Sequence, residues 1–217
     1  SGGSRECRGV CTDPFRMKKQ DELGVAPSEQ GAGPMLQVLA EDGSGLSANV
    51  PNANAGAHFS DCGCYRYALW RIWDRSLPFV MVVGLNPSTA NAVQDDPTIR
   101  SVGRIAKSNG FGGFYMMNCF PFISTDPEQL RDFGNTAFND HRLRQVASMC
   151  GDVVFAWGSF PIVRELGRDI EMTTMFPNAK ALHINKSGTP KHPLYCRSDI
   201  RLVPWAPQPT TEKEVTP

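Results

Sequence analysis

The chain has 217 residues, 41% hydrophobic and 20% charged, which is enough apolar material for one folded domain with an appendage, or two small ones. Twenty-two Lys and Arg balance twenty-two Asp and Glu, for a formal net charge of zero; this excludes a histone-like, strongly basic nucleic-acid binder and leaves open a neutral enzyme with a local basic cleft. The zero is a sum of unlike parts: residues 1–61 carry five basic against eight acidic side chains, net −3, and residues 62–217 carry seventeen against fourteen, net +3.

Residues 1–57 read as a flexible extension, because the stretch from Ala26 to Ala57 is rich in Gly, Ala, Ser, Pro and Asn and cannot offset its own ordering entropy. The seven cysteines are odd in number, so they cannot all pair internally. Cys7, Cys11, Cys62 and Cys64 form C-x3-C and C-x-C pairs whose spacing is unusual for zinc or an iron–sulfur cluster, and no metal or other cofactor is expected. Cys119 and Cys150 read as buried apolar thiols. No apolar stretch reaches the roughly 18–20 residues of a membrane helix, and no basic segment followed by an apolar run marks a signal peptide. The expectation is a cytoplasmic monomer.

From Phe59 the texture changes. Tyr65 to Ile72 alternates like an edge strand or hairpin arm. Phe79–Leu85 is a continuous apolar run, as expected for a strand buried on both faces of a parallel sheet. The pattern repeats at Phe114–Phe120, at Val153–Trp157 and, more weakly, at Lys180–Ile184. Helices are expected over Asp96–Asn109, Phe138–Met149 and Pro161–Glu171, the first opened by Asp96 as N-cap and Pro97 at the first helical position. Strand–helix alternation predicts an α/β fold, a three-layer α/β/α domain with a central four-stranded parallel sheet over residues 58–205 and a tail at 206–217.

Ligands bind such sheets at the carboxyl ends of the strands, which nominates four segments. After the first run comes Asn86-Pro87-Ser88-Thr89; Asn86 can hold a water or read a base edge, or simply make an Asx turn. Asn118 is an amide at the end of an apolar strand and needs a partner. Phe120 and Phe122 flank Pro121 and either stack on a planar ligand or pack in the core. In Lys186-Ser187-Gly188-Thr189-Pro190-Lys191-His192-Pro193, His192 can donate to a developing anion. Lys186 and Lys191 either follow a phosphate backbone or form a solvated face. Asp95, next to the capping Asp96, is a candidate base.

The segments YRYALWRIWD, GLNPSTA, DDPTIR, GGFYMMNCFPF, AWG and KSGTPKHPLY, in that order, resemble a bacterial and phage domain family of unknown function over about residues 58–205. More distantly, they resemble the uracil-DNA glycosylase superfamily. There a G-x-(D/N/E)-P loop follows the first strand, as Gly84-Leu85-Asn86-Pro87 does here. A second strand ends in a base-reading asparagine, matched by Asn118, a later strand ends in Trp-Gly, matched by Trp157-Gly158, and a His-Pro loop comes last, matched by His192-Pro193. The resemblance implies that Asn86 positions the attacking water and that His192 stabilises the departing base; Asp95, read from the residues alone, is a further candidate catalytic carboxylate. It implies that Asn118 hydrogen-bonds the flipped base; Phe120, Phe122 and Trp157 are further candidates for holding the base, and Ser88, Thr89, Lys186, Ser187, Lys191 and Arg66 are candidates for holding phosphates. The function so implied is excision of a modified or damaged pyrimidine from DNA, in a bacterial or phage defence setting. The rivals are a transferase modifying bases or nucleotides in the same pocket and a non-catalytic DNA- or nucleotide-binding module.

Overall fold

The computed structural model describes residues 53–88, 95–132 and 136–205. The expected extension up to Asn52, Cys7, Cys11, Thr89 and the tail at 206–217 lie outside the described residues. Among the described residues the chain runs β1 (Ala55–Phe59), β2 (Arg66–Ile72), β3 (Phe79–Gly84), α1 (Pro97–Ser108), β4 (Gly113–Asn118), α2 (Ala137–Ala147), β5 (Asp152–Phe155), α3 (Pro161–Glu165), α4 (Arg168–Met175), β6 (Lys180–Ala181) and β7 (Val203–Pro204). It is a mixed α/β protein.

One sheet orders the strands β1-β2-β4-β3-β5-β6-β7. The four runs expected to be parallel are so: β3 pairs in parallel with β4 on one side and β5 on the other, and β5 with β6. The sheet is nonetheless larger than the four strands expected. Of the two readings of β2, the hairpin arm holds and the edge does not: it pairs antiparallel with β1 and lies between β1 and β4, and β7 adds an antiparallel strand beyond β6. β1 also takes in Ala55 to Ala57, residues the sequence reading left in the extension.

The continuous apolar runs follow from burial on both faces of the sheet. Val80, Val82, Phe114, Met116 and Val154 share one apolar cluster with Ile99, Val102 and Ile105 of α1. Met81, Val83, Tyr115, Met117 and Phe155 belong to the other, with Leu143 and Val146 of α2, Ile162 and Val163 of α3 and Met172 of α4. The N-cap of α1 is as expected: Asp96 Oδ1 accepts from the Ile99 amide at 2.8 Å, with Pro97 following. The helix expected over Pro161–Glu171 is two, α3 and α4, broken at Leu166-Gly167.

Cys62 and Cys64 are disulfide-bonded, so neither offers a thiolate to a metal. Burial pushes the free thiols of Cys119 and Cys150 up to about 12, in line with apolar thiols. No helix among the described residues is long and apolar enough to cross a membrane.

A buried cation pins the end of β4. Arg168 donates to the Cys119 carbonyl at 2.9 Å, to Glu171 at 2.7 Å and to the Asp140 carboxylate. Beside it, the Asn139 amide donates to the Asn118 carbonyl at 2.9 Å. Removing one partner of such a pair leaves the other uncompensated. Arg168→Ala is therefore expected to cost about 3 kcal/mol, read as a lower urea midpoint at unchanged m-value.

Candidate functional site at the carboxyl ends of the parallel strands

Strand order reverses between β3 and β5, since β4 follows β3 in sequence but lies on its other side. Open α/β sheets bind ligands at such a switch point, beyond the carboxyl ends of the strands. The chain there is stitched into place. The amides of Cys119 and Phe120 donate to the carbonyls of Gly84 and Leu85 at 2.8 and 3.0 Å. The Asn86 carboxamide then donates from Nδ2 to the carbonyls of Pro87, Phe122 and Ser124 at 3.2, 3.3 and 2.8 Å. Asn86 is thus a brace between the loops after β3 and β4, and its free function is the acceptor Oδ1.

Asn118 closes β4 opposite Gly84. Its side chain is 2% exposed, and neither Oδ1 nor Nδ2 has a hydrogen-bond partner. A Cβ on Gly84 would lie 3.0 Å from that Oδ1 and 2.6 Å from the Met116 methyl, so only glycine lets the amide lie where it does. An orphaned buried amide carries the full desolvation cost of its groups. Native proteins keep such a group for a reason, a catalytic role being one.

His192 stands in the loop after β6. It caps a short 3-10 turn, Pro193–Tyr195, its Nδ1 accepting from the Leu194 amide at 3.3 Å. A ring nitrogen that accepts does not carry the proton, so the neutral ring holds it on Nε2 as a donor. Burial lowers the imidazole pKa from its ordinary 6.5, with the Asp96 carboxylate opposing, and the ring is neutral at pH 7. Ser101 of α1 steadies this loop by donating to the Pro193 carbonyl at 2.9 Å. On the other side is Gly158, at φ +80, where an added Cβ would lie 3.3 Å from the His192 Cβ and 3.6 Å from the Phe160 ring.

His192 lines a cleft of about 430 Å³ with Gly158, Ser159, Phe160, Asn185, Lys191 and Tyr195. Asn185, Ser159, Ser187 and Thr189 form a polar rim joined by hydrogen bonds of 2.9–3.1 Å. Asn86 and Asn118 do not line this cleft among the described residues, although the three were expected around one base.

The other expected site residues are placed as follows. Asp95 is the ion-pair partner of Arg71, at 2.6 Å. Ser88 donates to Asp96 at 2.9 Å. Arg66 is buried in the sheet, not on a phosphate track; its guanidinium lies in the field of Asp96, and burial pulls its pKa down to about 10. Lys186 and Ser187 are exposed on the turn beside the cleft. Phe120, Phe122 and Trp157 are 2%, 6% and 1% exposed. All three are in the apolar cluster on the α2 side of the sheet, with Trp157 packed on Phe155 and Trp205, and they present no face to a ligand. The aromatic faces at the cleft are Phe160, 41% exposed, and Tyr195, 72% exposed. The sequence reading passed over both; the available signal was a lone aromatic directly after a strand-end Gly-Ser and another closing the His-Pro segment.

The family model described as protein of unknown function, DUF1643, matches residues 66–194, more than half of the chain. The chain belongs to the DUF1643 family. No curated protein and no solved structure gives a significant match. The matched span of this DUF1643 chain runs from Arg66 to Leu194 and so holds Asn86, Asn118 and His192 alike.

Two substitutions test the geometry. Asn118→Leu replaces an orphaned amide with an apolar group of similar shape, and is expected to raise stability by about 1 kcal/mol; a lower urea midpoint would mean the amide is partnered. Gly158→Ala forces a left-handed residue and crowds His192, so it is expected to cost about 1–2 kcal/mol and to shift the His192 imidazole resonances in an NMR spectrum.

Proposed function

We propose that this DUF1643 protein is an enzyme acting on a base in DNA, an N-glycosylase that excises a modified or damaged pyrimidine, with a three-layer fold of the uracil-DNA glycosylase type. The observation that carries the reading is His192. It is a neutral imidazole with its Nε2–H available, beside Lys191, in a cleft at the carboxyl ends of the parallel strands. The order of the Gly-Leu-Asn-Pro, Asn118 and His-Pro segments along the chain supports it.

In the proposed reaction the bond between the sugar C1′ and the base nitrogen breaks, and its electron pair moves onto the base. The Nε2–H of His192 donates to the oxygen where that charge collects. A water held at Asn86 Oδ1 bonds to C1′ and releases a proton, which neutralises the base. The products are an abasic sugar and the free base.

The test is incubation with duplex and single-stranded DNA carrying uracil, hydroxymethyluracil or glucosylated cytosine. Abasic product is expected on at least one. DNA binding without product on any of them overturns excision, and intact DNA with an altered base mass points to a transferase. His192→Ala is expected to lower the rate by about 10²–10³-fold. It is a cleaner variant than Asn86→Ala, which also removes the brace between two loops. The working ring is neutral and its pKa lies below 6.5. Protonation removes that form only in more acid solution, so the rate should be flat from pH 7 to 8 and fall only at pH values below the ordinary imidazole value of 6.5.

A further inference from the structure

We infer that the cleft around His192 is a binding site for single-stranded DNA, with Phe160 and Tyr195 as stacking platforms for bases next to the reacting one. This rests on the proposed function for the reacting nucleotide, and names the form of substrate the same site takes. Tyr195 is the most exposed large hydrophobic residue described, and Phe160 lines the same cleft from the loop after β5. The His192 ring lines the same cleft, its centroid 5.9 Å from that of Tyr195. Neither aromatic face is needed by the core, and every base has a face that stacks on such a ring.

The rest of the lining fits a phosphodiester. Among the described residues Lys191 is its cation and no acidic side chain lines it, while Ser159 and Asn185 supply hydroxyl and amide groups at the rim, with Lys186 on the turn alongside. The cleft is within the size range of small-ligand sites, about 300–1,000 Å³. Bases of an intact duplex are stacked on one another and cannot reach two platforms on separate loops; those of a single strand already can. The modest net charge of the domain points the same way, because affinity here must come from stacking more than from a long track of phosphates.

The experiment is fluorescence anisotropy with a labelled oligothymidylate of twelve nucleotides, and with the same strand annealed to its complement. Neither carries an excisable base. The single strand is expected to bind at least about tenfold more tightly. Its log–log salt slope should be shallow, about −1.4 for two phosphate contacts. Tyr195→Ala and Phe160→Ala should each weaken it about tenfold, with Tyr195→Phe restoring binding and urea midpoints unchanged. Equal or tighter binding of the duplex, or aromatic-to-alanine variants that bind the single strand normally, would overturn the inference. Excision without this preference would leave the enzyme and remove the platforms; the preference without excision would do the reverse.

Discussion

Strand β3 is paired in parallel on both sides and buried on both faces. A segment in that position has no room for polar side chains along its length, since each would need a partner inside the sheet. Whatever chemistry it positions has to begin where it ends. At Gly84 the side chain vanishes, and the space over it is taken by the carboxamide of Asn118 from the neighbouring strand. Two residues later Asn86 binds the next loop as well as its own. The same rule acts on β4 and β5, so that Asn118 and Gly158 mark the points where the interior stops. The site is a boundary between an apolar sheet and its loops.

That boundary was legible in the sequence to the extent that it is a change in composition. Continuous apolar runs locate β3, β4 and β5 because burial on both faces suppresses alternation, and Asp96-Pro97 locates α1 because capping is local. Pairing direction is not local. β2 has the composition of an edge strand, yet lies between β1 and β4, and a shift in register between His58 and Phe59 disturbs its alternation. β7 is two residues long and contains a proline, too little to register as a pattern. The aromatic residues show the limit most sharply. Composition cannot tell a phenylalanine that fills a core from one that faces a ligand; the difference lies in which face of the strand end each residue occupies. Phe120, Phe122 and Trp157 face the α2 side, while the left-handed turn at Gly158 carries Phe160 outward to the cleft.

The electrostatics of the strand ends are arranged around one carboxylate. Asp96 caps α1 with one oxygen and accepts from Ser88 with the other, and its charge is felt by both Arg66 and His192. Its neighbour Asp95 is taken by Arg71. The carboxylates nearest the site are therefore occupied in holding structure. In the cleft itself the lining among the described residues has one lysine and a histidine whose pKa burial lowers. A ring that carries no charge can donate a proton-bearing edge to an anion without first losing a counter-ion, which suits a group meeting negative charge only as it forms.

The same arrangement accounts for why the fold tolerates an unpartnered amide at its centre. Asn118 could be relieved by moving, but its backbone cannot move: its carbonyl is held by Asn139, and the next carbonyl by Arg168, which is itself tied to Asp140 and Glu171. Nor can the side chain find a donor from β3, because glycine is opposite. The polar network on the α2 side thus holds the orphan in place on the other face of the sheet. A net formal charge of zero over the chain conceals this division. The cations that matter to the fold are paired and buried, and those at the cleft are few, so recognition there depends on shape, stacking and directed hydrogen bonds more than on the field of the whole molecule.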